Sequence, residues 1–418
     1  MSIGLLYNAR IFDGTGAEAF LGQVLLRDDR IVQVERADSV AATDMLADWR
    51  HDCGGSFLMP GMVEAHAHVT WPSSTERRVK GFKLPVEETM LHAARNARVL
   101  LEAGFTSAYS AGALGDRVEV VLRDEIAGGW LPGPRLMAST IERSAGAEGG
   151  YVGAEGDERL RGPGALRRFV EHCAALGVDS VKLLLSGEDA LLAGSSQHVL
   201  YTDEEVAAAA ETADRLGLRL AAHTQAAESI KMALRNGIRV LYHCSWADAE
   251  ALDMLEQFRD EVFVAPAIGV IVATLEAPAN PHLDMSVMKA GAPPVIEATR
   301  KLIPELVRRG VRVLPGGDYG FAFNPNGRNA RDLQHFVDLF GFSPSEALRA
   351  ATMYGGQLMG RGHELGLVRP GYLADLLLVD GDPERDVSVL QDRAALQMIM
   401  QGGRVYKAPT GCGIASAA

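Results

Sequence analysis

Two histidines, His66 and His68, close the apolar run FLMPGMVEAHAH at residues 57–68. Imidazole is a nitrogen ligand that is mostly neutral near pH 7, and residues i and i+2 of a strand point to the same side. A buried strand ending there delivers both rings to one place, where they can share a divalent cation. Other groups able to bind metal or move protons recur along the chain. Lys182 lies inside VDSVKLLLS (178–186), and His223 ends LRLAAHT (218–224). His243 lies in VLYHCS (240–245), and Asp318 ends VRVLPGGD (311–318). A lysine in an apolar strand is expensive to bury as a cation. Either a neighbouring carboxylate pairs with Lys182, or its neutral amine has reacted with carbon dioxide. The resulting carbamate is an anion able to bridge two cations, and burial favours the neutral amine that must react. His92, His172, His282, His335 and His363 have no placement that argues for ligation.

These groups need a frame that brings them together. Short apolar strands are expected at 105–111, 135–140, 178–186, 218–224, 240–245, 262–269 and 311–318, besides the one ending at His68. Amphipathic helices alternate with them, for example DEEVAAAAETADRLG (203–217) and SIKMALRNG (229–237). Alternation of this kind predicts a parallel sheet, and eight such units predict a (β/α)8 TIM barrel. A doubly wound sheet is the structural alternative, but no GxGxxG opens a helix after any strand. In a barrel, catalytic groups sit at the C-terminal ends of the strands. His66, His68, His223, His243 and Asp318 all fall there, and Lys182 is late in its strand.

The two ends of the chain read differently. LLYNARIFDGTG and QVLLRDDRIVQVER alternate apolar and polar residues around turn signals, as do DLLLVDGDPE and LQMIMQGGRVYK near the C-terminus. They are expected to pair into one small β-sandwich. The predicted division is residues 1–56 and 363–408 for that domain, 57–362 for the metal-dependent barrel, and 409–418 for a loose tail.

Composition narrows the function. The 418 residues are 47% hydrophobic and 23% charged, with 41 basic against 54 acidic residues and a net charge of −13. That balance attracts neither nucleic acid nor an anionic membrane. The four cysteines show no CxxC spacing and read as free thiols of a reducing compartment. No signal peptide or membrane-spanning run stands out, so a cytoplasmic protein acting on a small molecule is expected.

With these motifs in hand, the chain resembles the amidohydrolase superfamily over essentially its whole length. The resemblance rests on the PG-x-V-x-x-H-x-H strand from Pro60 to His68, the strand-four lysine, the two later histidines and the strand-eight aspartate. It also rests on SPSEALRAATMYGGQLMG (343–360) and ELGLVRPGYLADLLLVDGDP (364–383). Within the superfamily the chain is most similar to the imidazolonepropionase-like and Xaa-Pro dipeptidase-like branch. The resemblance implies a binuclear centre, with zinc first and manganese, iron or cobalt as alternatives. It implies that His66, His68 and Asp318 hold the more buried ion, and that His223 and His243 hold the more exposed one. Carbamylated Lys182 bridges the two. It further implies a homo-oligomer.

Several positions depart from that branch. The strand-three loop TIERSAGAEGGYVG (140–153) lacks a histidine, the strand-five pattern is His223-Thr224-Gln225, and strand six has Tyr242-His243-Cys244. The ligand set therefore supports the chemistry better than any inherited substrate. Two cations can share one water and lower its pKa, and Asp318 then acts as general base and acid. The expected reaction is hydrolysis of an amide bond. The alternatives are a hydrolase or lyase acting on an aromatic ester or lactone, and a non-catalytic scaffold. A mononuclear deaminase is disfavoured, because Thr224 and Gln225 stand where a glutamate would be needed. Candidate substrate-binding residues are Arg143, Arg328, Tyr201 and Tyr242. The Pro-interrupted segment 265–288 is either a lid or a packed loop.

Overall fold

The computed structural model describes residues 2–37, 47–73, 84–144, 161–189, 194–279 and 285–409. Part of the strand-three loop, part of segment 265–288, His282, Cys412 and nearly all of the C-terminal tail lie outside these residues.

The run that ends in His68 serves two sheets. Phe57–Pro60 (β5) belongs to an eight-stranded mixed sheet, whereas Met62–Ala67 (β6) opens a parallel one. Gly61 marks the change. A β-carbon there would collide with the Thr106 side chain, so only glycine lets the chain pass between the two sheets. The mixed sheet takes β1 (Ile3–Ile11), β2 (Phe20–Arg27), β3 (Arg30–Arg36) and β4 (Trp49–Asp52) from the N-terminal segment. It takes β14 (Leu376–Val379), β15 (Leu396–Gln401) and β16 (Arg404–Lys407) from the C-terminal one. The two ends meet where β14 runs antiparallel to β5, with Leu376 opposite Pro60. The expected sandwich is thus a single continuous sheet, with its own core that includes Leu6, Leu58, Leu376 and Met398.

All the middle strands are parallel. Strands β6, β7 (Phe105–Ser110) and β8 (Arg135–Met137) form a sheet of three. Strands β9 (Ser180–Leu184), β10 (Arg219–Ala226), β11 (Val240–Trp246), β12 (Phe263–Ala265) and β13 (Arg312–Val313) form a sheet of five. Two isolated parallel bridges join these sheets edge to edge. Arg143 pairs with Leu183 beyond β8, and Ala67 pairs with Tyr319 beyond β13. β6, β7 and β9 are buried at every residue, as expected of parallel strands covered on both faces.

Helices between the strands are set by local signals. Helix Asp203–Leu216 starts on a capping box in which Thr202 accepts from Glu205 N and Glu205 reaches back to Thr202 N. Such a cap contributes about 1 kcal/mol. The described part of segment 265–288 is largely helical. It holds helix Ile268–Glu276 and the start of helix Ser286–Arg308. No helix among the described residues is long and apolar enough to cross a membrane.

Candidate metal centre

The C-terminal ends of the parallel strands collect the expected ligands. His66 and His68 leave β6 with their ring centroids 5.1 Å apart. His68 Nε2 lies 3.2 Å from Asp318 Oδ1, and His66 Nε2 lies 3.8 Å from the same oxygen. Across the site, the rings of His223 and His243 are 4.3 Å apart, and that of His243 is 5.6 Å from His66. All five residues are buried. Two overlapping groups have ligand atoms within 4.8 Å of one another: His66, His243 and Asp318, and Glu188, His223 and His243.

Strand geometry explains most of this. Lys182, Ala221 and Val240 start runs whose alternate residues face inward, so His223 and its ladder partner Tyr242 point the same way. His243 would then point outward. It turns inward because His243 and Cys244 adopt left-handed backbone, with φ of 69° and 59°. Asp318 does the same, with φ of 57°. Left-handed non-glycine residues cost of order 1 kcal/mol or more and cluster where function requires them. Two candidate ligands are thus held in place at the expense of backbone ease.

An asparagine strap following β13 supports both ends. Asn324 Nδ2 donates to the carbonyls of Gly317 and Asp318 at 3.0 and 3.1 Å. Asn326 Nδ2 donates to His68 O at 3.2 Å, and Asn329 Nδ2 to Glu64 Oε2 at 2.7 Å. Glu64 in turn accepts from His66 N at 3.0 Å. Gly317 approaches Asp332 so closely that any β-carbon would collide with that carboxylate. Asp332 accepts from Gly316 N and from the Tyr319 hydroxyl.

The electrostatics suit a cation. Burial and the neighbouring Lys182 push the pKa of His66 well below the ordinary value, and they push His223 down to about 3. Burial and His223 do the same to His243. Burial also disfavours the imidazolium of His68, but the hydrogen bond and charge of Asp318 outweigh it and raise that pKa. His68 Nδ1 is 3.0 Å from Gly112 O, to which it donates, so Nε2 is the nitrogen turned towards Asp318. Burial lowers the pKa of Lys182, whose Nζ donates to Ala111 O at 3.0 Å. Its carboxylate neighbour, Glu142, is 3.9 Å away, a distant partner for a buried ammonium. Neutral imidazoles beside carboxylates form a donor set that accepts a divalent ion. His66 Nδ1, buried and without a hydrogen-bond partner among the described residues, leaves that ring tied only loosely.

Two acids escaped the sequence reading. Glu188 Oε2 lies 3.7 Å from His223 Nε2 and accepts from Gln225 Nε2 at 2.6 Å. Glu142 Oε1 lies 3.7 Å from His68 Nδ1. Strand parity could have found Glu188, since residues 182, 184, 186 and 188 alternate to one side.

The proposed substrate residues fare differently. Arg143 shares its bridge with Leu183, whose side chain packs in the helix-facing core, so Arg143 points outward as well. Its guanidinium sits 4.8 Å from the Phe169 ring centroid, and it is Glu142, one residue earlier, that faces the histidines. Tyr242 is fully buried beneath the ligands. Its hydroxyl donates to Ala65 O at 3.1 Å, and its ring lies 4.0 Å from that of His66, so it braces the strand that carries His66. Arg328 is exposed, and its charge acts on Glu276 and His335. Tyr201 is buried just beyond the end of β9, with its hydroxyl beside Arg143.

The profile of the amidohydrolase family matches residues 57–406, which spans both the ligand-bearing strands and the return into the mixed sheet. The chain belongs to the amidohydrolase family. It is accordingly an enzyme, a hydrolase of carbon–nitrogen bonds. It is 24% identical to an ochratoxinase of Aspergillus niger, over 97% of this chain and 87% of that one. It is 26% identical to a 5-methylthioadenosine/S-adenosylhomocysteine deaminase of Desulfitobacterium hafniense, over 90% of this chain and 85% of that one. Among solved structures, the A. niger ochratoxinase superposes with a TM-score of 0.84 at 22% identity, covering 100% of this chain and 98% of that one. A Xaa-Pro dipeptidase with bound methionine in its active site superposes with a TM-score of 0.83 at 24% identity, covering 97% and 100%. These structural likenesses establish the amidohydrolase fold.

Proposed function

We propose that this amidohydrolase cleaves an amide bond of a small molecule at a binuclear metal centre. The observation that carries the reading is the pair of buried ligand groups that share His243. In this reading His66, His68 and Asp318 would hold one ion and His223 and His243 the other, and Lys182, carbamylated, would supply an anionic ligand between the two groups. The eight parallel strands, linked at both seams by single bridges, are then one (β/α)8 barrel. When bound, the divalent cations (zinc, or manganese, iron or cobalt with the same ligands) would acidify a water and polarise the scissile carbonyl.

The chain's own residues do the rest. Asp318 Oδ1, beside both β6 histidines, takes the proton of the attacking water and returns it to the leaving nitrogen. The Asn324 strap fixes the carbonyls on either side of that turn and so aims the carboxylate. Tyr242 and Glu64 keep the β6 end from shifting when the ligands are engaged. Trp71 lies against His68 at 4.3 Å and continues into Phe321 at 4.8 Å, an apolar wall that excludes water from one side.

A second reading is deamination at a single ion. It is favoured by Glu188, which supplies in space the acid that Thr224 and Gln225 do not supply in sequence. Metal content per chain distinguishes the two. About two ions per chain by mass spectrometry, with hydrolysis of N-acyl amino acids or dipeptides, supports the binuclear hydrolase. About one ion, with release of ammonia from an aminopurine, supports the deaminase. No bound ion after reconstitution with zinc and bicarbonate refutes both.

A further inference from the structure

A cavity of about 410 Å³ lies where the start of β8 meets the β15–β16 hairpin. Arg123, Arg135, Arg361 and Arg404 line it, and no carboxylate does. The chain carries a net charge of −13, so this gathering of guanidiniums runs against the charge of the whole. Three of the four are braced from behind. Arg123 Nη1 donates to Asp179 Oδ2 at 2.8 Å, Arg135 Nη1 to Asp375 Oδ2 at 2.6 Å, and Arg361 Nε to Glu364 Oε1 at 2.7 Å. A guanidinium has five N–H donors, so each pair orients its fork and leaves donors over.

Arg404 differs from these. It is exposed, and no carboxylate pairs with it among the described residues. Its guanidinium carbon stands 5.8 Å from the Tyr406 ring centroid, and Tyr406 also lines the cavity. Gly129, with φ of 76°, passes so near that any β-carbon there would collide with Arg404 Nη1. A fork without a carboxylate partner thus stands at the cavity, with the Tyr406 ring close by.

We propose that this cavity binds a small phosphate-bearing metabolite, up to the size of a mononucleotide. Guanidinium forks match phosphate oxygens in geometry and charge. The volume falls within the roughly 300–1,000 Å³ typical of small-molecule sites, and Tyr406 offers an aromatic ring to a planar group. The cavity is separate from the metal centre. Arg135 is the first residue of β8, whereas Glu142 follows its other end. A ligand here would bridge the parallel strands and the mixed sheet, since Arg135 belongs to the first and Gln401, Arg404 and Tyr406 to the second.

The test is calorimetric titration of the metal-loaded enzyme with adenosine monophosphate, using Arg404→Gln, Arg404→Glu and, as a control, Arg300→Glu on an exposed helix face. The wild type is expected to bind with a Kd below about 1 mM; loss of the charge-assisted fork should weaken binding roughly fivefold in Arg404→Gln and more in Arg404→Glu. Arg300→Glu should bind as the wild type does. Adenosine monophosphate should raise the melting temperature of the wild type and not that of Arg404→Glu. The proposal is overturned if the wild type shows no binding at about 10 mM. Equal affinity in the wild type and Arg404→Glu overturns it too, as does an equal loss in the Arg300→Glu control.

Discussion

Replacing Glu119 with glutamine should flatten the dependence of stability on pH. Glu119 is fully buried, and its Oε2 accepts from Ser139 N at 2.9 Å, tying helix Val118–Ala127 to the segment that leads from β8 to Glu142. Burial pushes its carboxyl up to about 7, against the hydrogen bonds from Ser110 and Ser139 that pull it down. Unfolded, the group titrates at its ordinary 4.5. Between those values the folded protein keeps a proton that the unfolded chain has released. The associated stability is therefore complete below 4.5 and is lost as the pH rises to about 7. At about 1.4 kcal/mol per pH unit, the span is worth roughly 3 kcal/mol. Glutamine keeps an acceptor for Ser139 N and cannot titrate. Urea unfolding of both proteins, followed by far-ultraviolet circular dichroism, should show Glu119→Gln gaining about 3 kcal/mol on the wild type between pH 4.5 and 7.5. Parallel stability curves across that range would refute the reasoning.

Four other substitutions test the candidate site. Asp318→Asn should cut kcat at least a hundredfold, on the order of what a proton-transfer group contributes, while most metal stays bound; a near wild-type rate would remove Asp318 from the chemistry. His223 and His243 are assigned to the same ion, so His223→Ala and His243→Ala should each deplete mainly one ion, as read by mass spectrometry. Loss of both ions in His243→Ala alone would place that ring on both sites. Arg143→Ala should leave KM within about twofold and cost about 0.5–1 kcal/mol of stability, because its guanidinium packs on Phe169. A large rise in KM would return Arg143 to the pocket.

Sequence patterning revealed the frame because parallel strands covered on both faces must be apolar throughout. The strands around His66, Lys182 and His223 read in that way and lie where expected. His66, His68, Lys182 and His223 also follow strand parity, the simplest rule available. His243 does not: only its left-handed φ brings it inward, and no propensity of histidine announces that. Motif resemblance placed it where periodicity could not. Glu188 and Glu142 were missed for a related reason. Glu188 lies past the end of β9 and Glu142 past the end of β8, where no apolar strand pattern points to them. Arg143 shows the converse, since a suitable charge in a suitable loop lies one residue out of phase with the site. The split of residues 57–68 between two sheets rests on one close contact at Gly61, which becomes visible only when Thr106 is beside it.

The seams between the three-stranded and five-stranded sheets carry a mechanical consequence. Each carries a single bridge at the ligand-bearing end, and the seam between β8 and β9 is also tied at its other end, where Asp179 N and Ser180 N donate to Ala138 O. His66 and His68 stand on one side of the first seam and Asp318 on the other; Glu142 and Lys182 face each other across the second. A cation gripped by such residues would act as a rivet between two plates. The same ligands that would activate water would also determine how far the plates gape. Metal loading and the breathing of the molecule then become one variable, readable as the exchange rate of amide protons along the edges of β6, β8, β9 and β13.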